Sequence, residues 1–153
     1  MHFLIWVIGN DVAKILEPYT KATARLDWWQ VGGRFTGAFK SKYDPRKDPK
    51  NRRPCPMYCP AARIDNCAYC HGTGTTVEWP TNWVPFEGDT IAVTELLVLL
   101  KNDPPLSLPY AMVSSASGWV ENLSWEQTFK ETLLSVCNSV PGDTRVTAVD
   151  CHN

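Results

Sequence analysis

The chain is 153 residues long, 44% hydrophobic and 20% charged, with a formal net charge of -1. That length and apolar content suffice for one domain with its own core, without disulfide staples. Seven Trp and 12 Pro favour packing anchors and ordered loops over a helical bundle or a disordered tail, and no apolar run approaches the ~20 residues of a membrane span.

Residues 2–9 (HFLIWVIG) are apolar at both alternating positions, the pattern of a central strand covered on both faces. The stretch has no basic leader and no small-residue cleavage site, so it reads as a strand and not as an export signal. Asn10 or Asp11 then caps a helix on which Val12, Ile15, Leu16 and Tyr19 form one stripe, with Pro18 limiting its length. Residues 26–39 (LDWWQVGGRFTGAF) predict a strand, a bend at Gly32-Gly33 where positive φ is accessible, and a second extended piece. Residues 40–63 are Pro-rich and predict no regular structure. Residues 77–90 predict an irregular loop packed around Trp79 and Trp83. Thr94 caps a short helix carrying Leu96, Leu97, Leu99 and Leu100. Residues 109–114 and 118–121 predict a hairpin around Ala116-Ser117-Gly118. Ser124 with Gln127 forms a capping box for a helix with Phe129, Leu133, Val136 and Val140 on one face, stopped by Pro141-Gly142-Asp143. Residues 145–151 (RVTAVDC) form the last strand. With the central insertion set aside, the order is close to βαββαβ. This predicts an α+β fold with a ferredoxin-like (split βαβ) antiparallel sheet and a zinc-binding loop insertion. A single domain spans residues 1–153, with residues 40–76 as the basic, cysteine-rich insertion.

Charge is segregated. Residues 40–63 hold eight basic side chains, among them Arg46, Lys47, Lys50, Arg52 and Arg53, against two acidic ones, while residues 64–153 hold three basic and eleven acidic. A basic strip of this kind is a contact for phosphate or an acidic partner, or else a solvated loop. Four of the six cysteines follow within the spacing Cys55-x3-Cys59-x7-Cys67-x2-Cys70. Two short-spaced pairs complete a tetrahedron around one ion, and four sulfur ligands suit structural zinc better than an iron–sulfur cluster. Paired disulfides are the alternative. His71 adjoins Cys70 and is placed beside the ligands, not among them. Cys137 and Cys151 read as buried free thiols.

His2 opens the first strand and His152 follows the last. Antiparallel pairing of those strands brings the two imidazoles together, and such a pair with Arg34 as an anion contact and Asp150 orienting a ring can do acid–base chemistry on a phosphodiester. Histidines at a sheet edge without a chemical role are the alternative. In the block Trp28-Trp29-Gln30-Val31-Gly32-Gly33-Arg34-Phe35-Thr36-Gly37 the two Trp face opposite sides of a strand, so one can bury in the core while the other, taken as Trp29, stacks on a base; a plain core role is the alternative.

Cys67-Ala-Tyr-Cys70-His71-Gly72-Thr73-Gly74 resembles one C-x-x-C-x-G-x-G unit of the cysteine-rich region of DnaJ-type chaperones. The similarity covers eight residues and carries a zinc motif, not a chaperone function. More of the chain is similar to a group of small proteins encoded by bacteriophages and prophages, many of them actinobacterial. The likeness rests on the N-terminal His-Phe strand, the W-x-x-G-G-R-[WF]-T-G block and the ending Val149-Asp150-Cys151-His152. Trp29 stands where that block usually has Tyr, and Phe35 where it usually has Trp. The resemblance implies an accessory protein acting in the cytoplasm of a host bacterium and supplies no activity.

Two functions are therefore expected, with a virion or assembly component that has no ligand as a third alternative. One is a zinc-stabilised phage-type protein whose basic loop binds a host macromolecule, either nucleic acid or an acidic protein surface, countering host defence or redirecting host machinery. The other is a nuclease or nucleotide-processing enzyme using His2, His152 and Arg34.

Overall fold

The computed structural model describes residues 1–21, 25–40, 44, 47–57, 59, 67–77, 87–102, 106–123 and 126–153. Arg46, Trp79, Trp83 and Ser124 lie outside them. The chain forms two units, Met1–Ser41 with Pro85–Asn153, and Lys42–Val84. The insertion is expected at residues 40–76, and the second unit runs over Lys42–Val84.

In chain order the elements are β1 (His2–Ile8), α1 (Val12–Lys21), β2 (Trp28–Val31), β3 (Arg52–Pro54), β4 (Thr75–Val77), β5 (Thr90–Ala92), α2 (Val93–Leu99), β6 (Ala111–Ser114), β7 (Gly118–Glu121), α3 (Glu126–Ser139) and β8 (Arg145–His152). The protein is mixed α+β. The first unit carries a mostly antiparallel sheet in the order β2-β8-β1-β6-β7, and β5 also pairs with β8. β1 runs the length of β8, from His2↔His152 to Ile8↔Val146. The other edge of β8 is shared: β2 pairs with Val149–His152 and β5 with Arg145–Thr147.

The expected ferredoxin-like order does not describe this sheet. A split βαβ sheet keeps its first two parallel strands apart with an antiparallel strand between them. Here β6 lies directly beside β1 and parallel to it, with Ile5↔Ala111 through Ile8↔Ser114 in register, and its hairpin partner β7 takes the edge. The sequence of the hairpin explains the choice. All four residues of β6, Ala111-Met112-Val113-Ser114, are buried, as a doubly covered centre requires, whereas β7 is only half-buried and ends on Glu121.

The alternation along β1 divides the core in two. Trp6, Ile8, Met112, Val146 and Ala148 face Val93, Leu96 and Leu100 of the α2 segment and Phe129, Leu133, Val136 and Cys137 of α3. Ile5, Val7, Val113, Val149 and Cys151 face Leu16 of α1. Pro18 does not end α1, which continues to Lys21. Pro18 is exposed, so the Lys14 carbonyl that it deprives of a partner lies on the solvent side of the helix. α2 begins one residue before the expected Thr94 cap, and the Glu95 carboxylate accepts the Ala92 N–H at 2.8 Å in its place. The second extended piece expected after Gly33 is instead a 3-10 turn, Gly33–Phe35, that leads Phe39 onto Trp6 with ring centroids 5.5 Å apart. The basic stretch, expected to lack regular structure, contains the turn Pro49–Asn51 and strand β3. No described helix is long and apolar enough to cross a membrane.

Both core halves carry the stability of the first unit. Leu133→Ala and Leu16→Ala, each at a fully buried side chain, are each expected to cost about 2–5 kcal/mol. Val98→Ala, at a 61% exposed position, is expected to cost less than about 0.5 kcal/mol. Urea denaturation of the three variants measures this.

Candidate metal centre and histidine corner

The Lys42–Val84 unit is closed by a short antiparallel pair, β3 with β4, in the register Arg52↔Val77 to Pro54↔Thr75. Cys55 follows β3 directly, and its N–H donates to the Gly74 carbonyl at 3.0 Å just before β4. Cys67 and Cys70 sit on a tight turn, where the His71 N–H donates to the Cys67 carbonyl and the Thr73 N–H to the Cys70 carbonyl, both at 2.9 Å. His71 takes a left-handed backbone, φ 47°, and its side chain is exposed, beside the cluster as expected.

The sulfur atoms of Cys55, Cys59, Cys67 and Cys70 all lie within 4.8 Å of one another, with Cys55 and Cys67 3.7 Å apart. None is in a disulfide. A tetrahedron with metal–sulfur bonds of ~2.3 Å has edges of about 3.8 Å, so the set fits one four-coordinate ion and is too tight to span a multi-iron cluster. The electrostatics point the same way. N–H groups of Cys70 and Tyr69 aimed at its sulfur bring the Cys67 thiol down to about 6, while the Cys59 thiol, hydrogen-bonded to Cys67 and buried, is pushed up to about 12. One thiolate is favoured and the next is penalised, the conflict that a cation resolves. Among the described residues of this unit the buried side chains are these four cysteines and Asn51. The sulfur cluster therefore stands where another small unit would have an apolar core, and four cysteines so placed can hold a metal ion.

The basic residues of this unit divide by role. Lys47 and Lys50 are exposed. Arg52 is half-buried and donates from Nε to Thr75 Oγ1 at 2.8 Å, across the β3–β4 pair. Arg53 donates from Nη1 to the carbonyls of Lys50, at 3.0 Å, and Arg52. Arg52 thus ties β3 to β4, whereas both Arg53 bonds stay within residues 50–53.

The first unit gathers a different set of side chains where β1, β8 and β2 lie side by side. His2, His152 and Trp28 share one register, and Leu4, Asp150 and Gln30 share another on the same face. The imidazoles expected to meet do so, with centroids 5.2 Å apart. Trp28 lies edge-on to His2 at 5.1 Å and parallel to His152 at 5.9 Å. His2 Nδ1 donates to Asp150 Oδ1 at 2.9 Å. His152 Nδ1 donates to Asp27 Oδ2 at 3.2 Å, and the Met1 amino group lies 3.3 Å from its Nε2.

Asp150 is fully buried, and its second oxygen accepts the backbone N–H of Arg34 at 2.9 Å. Arg34, expected to contact an anion through its side chain, thus reaches the corner through its amide. The Gly-Gly pair explains the approach. Gly33 has φ 51°, and a Cβ there would stand 2.5 Å from Asp150 Cβ. Gly32 has φ 69°, and a Cβ there would stand 2.2 Å from Asp89 Oδ2. Asp89 is itself 1% exposed and accepts from Thr36 Oγ1 and, at 2.5 Å, from the Gly37 N–H. The Gly-Gly-Arg-Phe-Thr-Gly string is a loop wrapped around two buried carboxylates.

Trp28, and not Trp29, belongs to the corner. Trp29 points to the opposite face and packs on the cluster that includes Val149 and Cys151. Sequence reasoning missed Asp27 and Asp89. Asp27 was legible as the residue before a strand whose next side chain faces His152, whereas Asp89 carried no local signal. Cys137 and Cys151 are buried free thiols, as expected, and burial raises both, Cys137 to about 11. Comparison with protein-family models, with curated proteins and with solved structures gave no match to this chain.

Gly33→Ala meets both the left-handed backbone and the Asp150 side chain, so a loss of about 2 kcal/mol or more is expected, together with a changed environment at His2. Urea denaturation and the imidazole NMR signals of His2 report the two effects. An unchanged denaturation midpoint contradicts the close fit.

Proposed function

We propose that this chain is a zinc-stabilised binding protein whose Lys42–Val84 unit engages an anionic macromolecule, with nucleic acid as the partner the chemistry fits best. The carrying observation is the tetrahedral spacing of four buried sulfurs in a unit whose described residues bury almost nothing else. Zinc suits that site because it takes four thiolates in tetrahedral geometry with no open position, so its role is to organise the loop and not to bind substrate. Once held, the turn Pro49–Asn51 carries the exposed Lys50, with the exposed Lys47 just before it and the half-buried Arg53 in strand β3 just after it. A rigid cluster of cations recognises a phosphate backbone at lower entropic cost than a mobile one. In the phage-accessory setting implied by sequence resemblance, the partner is a host macromolecule inside the bacterial cell, and binding would interfere with host defence or redirect host machinery. An acidic protein surface presents the same charge and is the second partner class.

Binding of the zinc-loaded chain to labelled single-stranded RNA and DNA, followed by fluorescence anisotropy from 50 to 300 mM salt, tests this proposal. With about three phosphates neutralised, the logarithmic salt slope is expected near −2. Replacing Lys47, Lys50 and Arg53 together by Gln should cost at least tenfold in affinity at low salt, and removing zinc with a chelator should abolish binding. Salt-independent binding, or full affinity in the metal-free chain, contradicts the proposal. If neither nucleic acid binds while an acidic polypeptide does, the partner is a protein.

A further inference from the structure

We infer that His2 and His152 form an acid–base pair that cleaves a ribonucleotide phosphodiester by attack of its own 2′-hydroxyl. The inference rests on the first unit alone and stands whether or not the sulfur cluster takes a metal.

Each imidazole is oriented by a carboxylate. The buried Asp150 takes the Nδ1–H of His2, which fixes the tautomer with the lone pair on Nε2, and Nε2 has no hydrogen-bond partner among the described residues. That is the geometry of a general base. His152 lies 5.2 Å away, ring centre to ring centre, with its side chain 34% exposed, Asp27 facing Nδ1 and the Met1 amino group facing Nε2. Both rings reach the surface, since the His2 side chain is 17% exposed, while the carboxylate behind it is sealed from water. A histidine kept only as a sheet edge needs no buried carboxylate. Asp150 is desolvated at a cost that its two hydrogen bonds offset, and one of them serves to aim His2.

The class of substrate follows from what the corner lacks. Among the described residues no serine, threonine or cysteine hydrogen-bonds either ring, and Cys151 faces the other side of the sheet. Two imidazoles without a protein nucleophile suit a substrate that brings its own, and a phosphodiester with an adjacent hydroxyl is that substrate. His2 Nε2 takes the 2′-hydroxyl proton as the 2′-oxygen forms its bond to phosphorus. Protonated His152 gives its proton to the 5′-oxygen as the phosphorus–O5′ bond breaks, with the leaving group taking the place of the Met1 amino group at Nε2. The products are a 2′,3′-cyclic phosphate and a 5′-hydroxyl, with no change of oxidation state. Trp28, half-buried against both rings, supplies the wall on which a base rests.

The test uses the full chain and a mixed set of ribodinucleoside monophosphates, with chromatographic detection of the 2′,3′-cyclic phosphate. The wild type is expected to form it with a bell-shaped pH dependence, since one imidazole must be neutral and the other protonated, and to leave the 2′-deoxy set intact. His152→Gln and His2→Gln, confirmed as folded by their melting curves, should each lower kcat/KM by about 10²–10⁴. Asp150→Asn should lower kcat with little change in KM and distort the pH profile, as a positioning residue does. Should His2→Gln fail to fold, His152→Gln and the pH profile decide. Absence of cyclic phosphate from the wild type, equal cleavage of the deoxy set, or full activity in His152→Gln overturns the inference.

Discussion

Four sulfur atoms within 4.8 Å of one another, all withdrawn from water, set the terms for the Lys42–Val84 unit. Thiols so crowded cannot all ionise by themselves: one proton lost at Cys67 makes the next at Cys59 harder to remove. A divalent cation removes that conflict and turns mutual repulsion into four bonds. Because so little else in the unit is buried, the free energy of metal binding is in large part its free energy of folding. The β3–β4 pair, the Arg52–Thr75 hydrogen bond and the turn that carries Lys50 depend on it.

The first unit meets the same problem, anionic groups withdrawn from water, without a metal. Asp150 and Asp89 are carboxylates placed out of reach of water, and the chain supplies donors to them instead of a cation. Two glycines with positive φ bring backbone close enough that no side chain would fit, and the amides of Arg34 and Gly37 complete the contacts. Of the side chains that donate to these two carboxylates, the imidazole of His2 is partly exposed and the Thr36 hydroxyl belongs to a buried residue. Burial of the carboxylate and orientation of the imidazole are one arrangement.

Much of this was legible in the sequence because it is local. The spacing of Cys55, Cys59, Cys67 and Cys70 is a short-range constraint, and the apolar run of β1 announces a doubly covered strand. The meeting of His2 with His152 followed from antiparallel pairing of the first and last strands, which the structure contains although the sheet order differs from the expected one. What the sequence left open depends on long-range pairing. Which strand of the β6–β7 hairpin lies beside β1 is decided by burial across the whole sheet. Gly32-Gly33 could be read as a bend, but the two aspartates that require it lie 57 and 117 positions away in the chain, counting from Gly32 to Asp89 and from Gly33 to Asp150. Trp28 and Trp29 were correctly placed on opposite faces, yet alternation alone does not say which face holds the histidines.

Whether the sulfur cluster holds one ion decides how the Lys42–Val84 unit folds, and X-ray absorption at the zinc edge of the purified chain addresses that directly. One zinc per chain with a single shell of four sulfurs at ~2.3 Å is the expected spectrum. A shell containing nitrogen or oxygen, a metal–metal scatterer, or no bound zinc would contradict it.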